Sequence, residues 1–169
     1  MHFDTLNFEI NEKVGIITMN RPDEANALNA QMASELFELS VQCSRNKSLG
    51  ALIITANGKM FNAGGDLKEF NNPPGTSKDQ PLSRVASDLH NALVRFAYMD
   101  APIIMAVNGT AAGGGFSIAL SGDYILASDK AKFVSAYTAS GLTPDGSSTY
   151  YLAKHMYSYS FVCFACEFY

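Results

Sequence analysis

Two stretches near the start of the chain, Thr5–Ile10 and Val14–Met19, are rich in β-branched and apolar residues and flank Asn11-Glu12-Lys13, which predicts two strands joined by a tight turn. The pattern then changes period. After Asn29, a residue suited to capping, Met32, Leu36, Leu39 and Cys43 recur at helical spacing. Ala51–Thr55 is a continuous apolar run of strand length. From Asn57 to Gly75 the chain turns rich in Gly, Asn and Pro, with Gly64-Gly65 and Pro73-Pro74 as its strongest breaks, and reads as one long loop. Long loops in compact domains often hold function. Leu82, Val85, Leu89, Leu93 and Phe96 define a second helical face, closed by Ala101-Pro102 because the residue before proline disfavours helix. Strand Ile103–Val107, a turn at Asn108-Gly109 and a helix opening at Gly113–Gly115 form another strand-loop-helix unit, and Tyr124–Ala127 starts a third.

This alternation predicts an α/β domain, with no sequence repeat of fixed length. The chain has 169 residues, 47% apolar and 17% charged, which suits one domain with a sizeable core. Residues 1–156 read as that core. The net charge of −4 and three scattered histidines provide no basic face for a phosphate backbone, so nucleic acid is excluded as a partner. Met1–Ile10 lacks the basic and apolar regions of a secretion signal, and no apolar run approaches a membrane span, which together predict a cytoplasmic protein. Cys43, Cys163 and Cys166 are an odd count, expected to be reduced thiols. The Cys163/Cys166 pair has no second pair to complete a zinc site, so no metal is expected.

Three ordered blocks narrow the reading. Asn20-Arg21-Pro22 to Asn26-Ala27-Leu28, then Phe61-Asn62-Ala63-Gly64-Gly65-Asp66-Leu67, then Ala106-Val107-Asn108-Gly109 through Gly113-Gly114-Gly115, resemble the signature blocks of the crotonase (enoyl-CoA hydratase/isomerase) family in order and spacing. Alone, either glycine run would read as a turn. The resemblance implies a spiral of ββα units, assembly as a homo-oligomer (trimer or hexamer), and an acyl-CoA thioester as substrate. Coenzyme A then enters as part of the substrate, with no separate cofactor. It also implies that the backbone N–H groups of Gly65 and Gly114 polarise the thioester carbonyl, with the positive end of a helix behind Gly114. Asp23, Glu24 and Ala25, together with Ala63, Gly64 and Asp66, would contact coenzyme A, largely through backbone groups. Asp23 and Glu24 are acidic where members often carry a basic residue.

The resemblance also bears on the reaction. Ser117 and Tyr137 occupy the positions of the two glutamates with which family hydratases work, and neither is an acid or base near neutral pH. The nearest ionisable candidate is Asp145, at a position where family isomerases use an aspartate to move protons and a chlorobenzoyl-thioester dehalogenase uses one as nucleophile. Pro144-Asp145-Gly146 is equally a turn sequence, and Asp145 is placed to cap the helix that follows. His90 matches a histidine that activates water in the dehalogenase, and Tyr137 stands where that enzyme has tryptophan. A partly buried structural histidine fits His90 as well. Asp123 reads as structural. The expected activity is a double-bond shift in an enoyl-CoA through an enolate. The alternatives are a hydrolytic dehalogenase or thioester hydrolase with Asp145 as nucleophile, or an inactive acyl-CoA-binding relative. Residues 157–169 are aromatic-rich and unlike the family's continuation, which implies a core shortened at its C-terminus.

Overall fold

A computed structural model describes residues 2–71 and 80–157. Its elements are β1 (Leu6–Asn11), β2 (Val14–Met19), α1 (Ala30–Arg45), β3 (Ala51–Ala56), β4 (Met60–Asn62), α2 (Leu67–Asn71), α3 (Gln80–Ala97), β5 (Ile103–Val107), β6 (Thr110–Ala112), α4 (Gly114–Leu120), β7 (Tyr124–Ala127), β8 (Phe133–Val134) and α5 (Ser148–Tyr157). Five strands form one sheet in the order β1-β2-β3-β5-β7, and three form a second in the order β4-β6-β8. Among the described residues only β1 and β2 run antiparallel; every other pairing is parallel.

The chain repeats one move. It enters the large sheet with a long strand, crosses to the small sheet with a short one, and returns through a helix: β3-β4-α3, β5-β6-α4 and β7-β8-α5. This is the spiral of ββα units that the resemblance implies. The long strands are legible because alternate residues are buried, as in β2 with Gly15, Ile17 and Met19 inward. The short strands were not expected. Residues 57–75, read as a single loop, contain β4 and α2, and the turn at Asn108-Gly109 leads straight into β6. Pro73-Pro74 and the tail with Cys163 and Cys166 lie outside the described residues.

Helix α1 starts as predicted, with the Asn29 side chain accepting from the Met32 N–H at 2.9 Å. It packs on α3 through apolar faces that bury Met32, Leu36, Leu39 and Cys43 on one side and Val85, Leu89, Leu93 and Phe96 on the other. Burial pushes the Cys43 thiol up to about 11, so it behaves as a small hydrophobe. Leu82 departs from its expected core position: it is 41% exposed and faces a cavity. Asp123 is structural, its carboxylate accepting from the Ile103 N–H at 2.9 Å and so joining β5 to the start of β7. Among the described residues no helix is long and apolar enough to cross a membrane, and no cluster of three metal-binding side chains occurs.

The buried Glu35 of α1 ties down the chain before β1. Its carboxylate accepts from the backbone N–H of Asp4 at 2.9 Å and of Thr5 at 3.0 Å, from the Thr5 hydroxyl, and from Gln31 at 2.7 Å. Burial pushes its pKa up, but these donors outweigh burial and hold it below its ordinary 4.5. A depressed carboxyl contributes stability that is present above the unfolded-state value and lost as pH falls through the folded one. Glu35→Gln is therefore expected to cost about 1–3 kcal/mol in urea denaturation at neutral pH and to flatten the loss of stability below about pH 4.5. An unchanged acid limb in the variant would contradict this.

Candidate active site

Buried asparagines shape the first glycine loop from within. Asn62 is fully buried; it donates to the Asn26 carbonyl at 2.6 Å and accepts from the Gly64 N–H at 2.8 Å. Asn26, also fully buried, accepts from the Arg21 N–H and donates to the carbonyls of Asn57 and Met60 at 2.8 and 2.9 Å. Gly64 has φ +91°, and a methyl group there would lie 2.9 Å from the Ala112 carbonyl, so both the backbone angle and the approach of the second loop require glycine. The first loop is further pinned to Leu28, whose N–H donates to the Gly64 carbonyl and whose carbonyl accepts from Asp66. These bonds use the amides of Gly64 and Asp66. The Gly65 N–H between them, and the Gly114 N–H at the start of α4, donate to no protein acceptor among the described residues.

Both glycines line one cavity of about 110 Å³, walled by apolar Leu28, Phe70, Leu82, Leu89 and Leu142 and closed by Tyr137 and Asp145. The exposed apolar side chain of Leu82 thus has a place. Asp145 is the only carboxylate in this lining among the described residues. Its side chain does not cap α5; its backbone carbonyl meets the helix start, accepting from the Ser148 N–H at 3.0 Å. The carboxylate instead accepts from the Tyr137 hydroxyl at 2.7 Å through Oδ1, and its Oδ2 lies 3.3 Å from His90 Nε2. Burial and the neighbouring Asp145 carboxylate push the Tyr137 phenol far above its ordinary value, so it remains a hydroxyl.

His90 Nε2 also accepts from the Gly146 N–H at 3.2 Å. A single ring nitrogen cannot accept there and donate to Asp145 at once. Nε2 without a proton accepts from Gly146; Nε2 carrying a proton donates to Asp145. Its side chain is 44% exposed, so it is not a core histidine, and it fronts a wider groove on the far side of Asp145 beside Tyr98, Tyr150 and Lys154.

The remaining residues expected to bind substrate are spread around this centre. Ala63 and Gly64 line the cavity. The Asp66 carboxylate is turned away, paired with Arg21 at 3.1 Å and accepting from the Lys68 N–H at the start of α2. Asp23 and Glu24 sit exposed on the short 3-10 turn Pro22–Glu24, outside the cavity lining, and Ala25 connects that turn to the loop by accepting from the Ala63 N–H at 3.1 Å. In the sequence Ser117 is only a lost carboxylate. It is fully buried on α4, in contact with the Tyr137 hydroxyl, and donates to the Asp145 carbonyl at 2.9 Å.

A short apolar cavity, two unpaired amides on its wall and one carboxylate beside them can accept an acyl group, hold negative charge on its oxygen and move a proton. Comparison with known proteins identifies the family. The chain is 38% identical over 147 residues to a 1,2-epoxyphenylacetyl-CoA isomerase of Escherichia coli, covering 86% of this chain and 55% of the relative. It is 31% identical to a 4-chlorobenzoyl coenzyme A dehalogenase of Arthrobacter, covering 88% of this chain and 54% of the relative. A Thermobifida fusca protein assigned as an enoyl-CoA hydratase, solved in complex with acetoacetyl-CoA, superposes with a TM-score of 0.76 at 29% identity over 89% of this chain and 61% of that one. The chain thus spans somewhat over half the length of the relatives it matches. The sequence model of the enoyl-CoA hydratase/isomerase family matches residues 9–158, nearly the whole described region. With the ββα spiral and the amide-lined cavity in place, the chain belongs to the enoyl-CoA hydratase/isomerase family.

Proposed function

We propose that this chain forms the acyl-CoA site of an enzyme that shifts a double bond along the acyl chain, with Asp145 as the proton-moving group and the amides of Gly65 and Gly114 holding the enolate oxygen. The observation that carries the reading is that Asp145 is the single carboxylate in the cavity lining among the described residues, beside the two amides. Hydration needs a water positioned at the β carbon and a proton delivered to the α carbon, two tasks for two groups, whereas here the serine and tyrosine at the glutamate positions both bond to Asp145. One base suffices for isomerisation: it removes a proton from one end of an allylic system and returns it to the other. Coenzyme A would lie along Asp23–Ala25 and the Ala63–Asp66 loop, and the family's trimeric or hexameric assembly is part of the same proposal.

Incubation with 3-hexenoyl-CoA in heavy water is expected to give 2-hexenoyl-CoA, deuterated at the newly protonated carbon to the extent that Asp145 exchanges with solvent between transfers. The contact of His90 with Asp145 favours a second reading, in which Asp145 attacks the substrate as nucleophile and the imidazole activates the water that releases it. Chloride release from 4-chlorobenzoyl-CoA, with an adduct trapped on Asp145 in His90→Gln, would replace the first reading by the second.

A further inference from the structure

We infer that Ser117, Tyr137 and Asp145 form a hydrogen-bond chain that reverses direction when Asp145 gains a proton, so that one carboxylate can hold that proton between its two transfers. This deepens the isomerase reading and takes its catalytic meaning from it. Three contacts join the group: Ser117 Oγ to Tyr137 Oη, Ser117 Oγ to the Asp145 carbonyl at 2.9 Å, and Tyr137 Oη to Asp145 Oδ1 at 2.7 Å. Each hydroxyl brings one proton. With Asp145 ionised, two of the contacts can be hydrogen bonds, and the third sets lone pair against lone pair.

With Asp145 ionised, Tyr137 donates to Oδ1 and the one Ser117 proton is divided between the Asp145 carbonyl and Tyr137, donation to Tyr137 directing the whole chain toward the charge. The Asp145 carbonyl then keeps the Ser148 N–H, 3.0 Å away. With a proton on Oδ1 the order turns round: Oδ1–H donates to Tyr137, Tyr137 to Ser117, and Ser117 to the Asp145 carbonyl. All three contacts are now hydrogen bonds. Ser117 is fully buried and Tyr137 only 5% exposed, so a hydroxyl left without its partner here bears the full desolvation penalty. The switch requires three O–H rotations, of Ser117, Tyr137 and the newly protonated Asp145, and no movement of heavier atoms.

In the reaction, a substrate C–H bond breaks as an O–H bond forms on Asp145, and the electron pair moves into the dienolate, whose charge the two amides hold. The proton turns toward Tyr137 and the chain reverses. When the O–H bond breaks to form the new C–H bond, the chain returns to its first direction and the carboxylate is regenerated. Ser117 and Tyr137 are thus positioning residues acting through Asp145. The other titratable or charged groups around Asp145 are His90 of α3, 3.3 Å from Oδ2, and Tyr150, Tyr151 and Lys154 of α5 along the groove. They stay in place in the variants below, so they bias all of them alike.

The test is a pH titration without substrate, following the Asp145 carboxyl carbon and the Tyr137 ζ carbon in 13C-labelled protein, with Asp145→Asn and Tyr137→Phe assigning the two signals. The Tyr137 signal is expected to step at the Asp145 midpoint, and the step should vanish in Asp145→Asn. In Ser117→Ala the tyrosine has lost its second acceptor and stays turned to Asp145, so the step should shrink below about half. Ser117→Ala should also lower kcat on 3-hexenoyl-CoA about tenfold while KM stays within about threefold. A Tyr137 signal that ignores the Asp145 titration, or an undiminished step in folded Ser117→Ala, overturns the relay. The wild-type titration decides alone if that variant does not fold. Since the spectra need no turnover, they separate failure of the relay from failure of the isomerase reading, which would show as turnover surviving Asp145→Asn.

Discussion

Asp145→Asn is expected to lower double-bond isomerisation by about three orders of magnitude, within the range that a positioned acid or base contributes, while coenzyme A affinity by calorimetry stays within a few fold. The side chains are nearly isosteric. An asparagine oxygen can still accept from Tyr137, and its amide can donate to His90 Nε2 once the Gly146 N–H is displaced, so both contacts of the native carboxylate have a replacement. What the amide lacks is the capacity to take and return a proton near neutral pH. Among the described residues no other carboxylate lines the cavity to replace it. Crotonyl-CoA hydration at a rate indifferent to the substitution would remove Asp145 from the mechanism and the double-bond shift from the proposed function.

The elements legible in the sequence are those whose burial pattern is local. Alternation along Val14–Met19 and the helical spacing of Met32, Leu36, Leu39 and Cys43 are set by residues a few positions apart, and both appear in the fold as expected. Strands β4, β6 and β8 have no such signal. They are two or three residues long, and they exist because Met60 pairs with Thr110 and Ala111 with Phe133, partners separated by tens of positions. The site divides the same way. Asp145, His90 and Tyr137 could be singled out by residue type and family position, but their mutual contacts depend on how α3, α4 and the segment before α5 converge. Ser117 shows the limit most clearly: read alone it is an absence of charge, and only its contacts with Tyr137 and the Asp145 carbonyl give it work. Leu82 fitted the helical period, yet it serves the cavity rather than the core.

Gly114→Pro tests the other half of the site, because proline deletes the one atom group assigned a role there, the backbone N–H. The position tolerates it in principle: Gly114 is the first residue of α4, where no intrahelical bond uses the N–H and proline's fixed φ suits the turn. The added carbon is the complication, since a methyl group at Gly114 would stand 2.8 Å from Leu28 Cδ1. That atom is the free end of a flexible side chain, and Gly114→Ala introduces the same contact while keeping the amide. The pair of variants therefore isolates the hydrogen bond. Alanine is expected to cost a few fold in kcat, and proline a further factor of about 10²–10³, the measured scale for losing one oxyanion donor. KM should move little in either, because the donor meets charge that develops after binding. Equal kcat in folded Gly114→Pro and Gly114→Ala would mean that the enolate oxygen is held elsewhere. The unpaired amides of Gly65 and Gly114 would then be a by-product of two loops packed too closely for side chains.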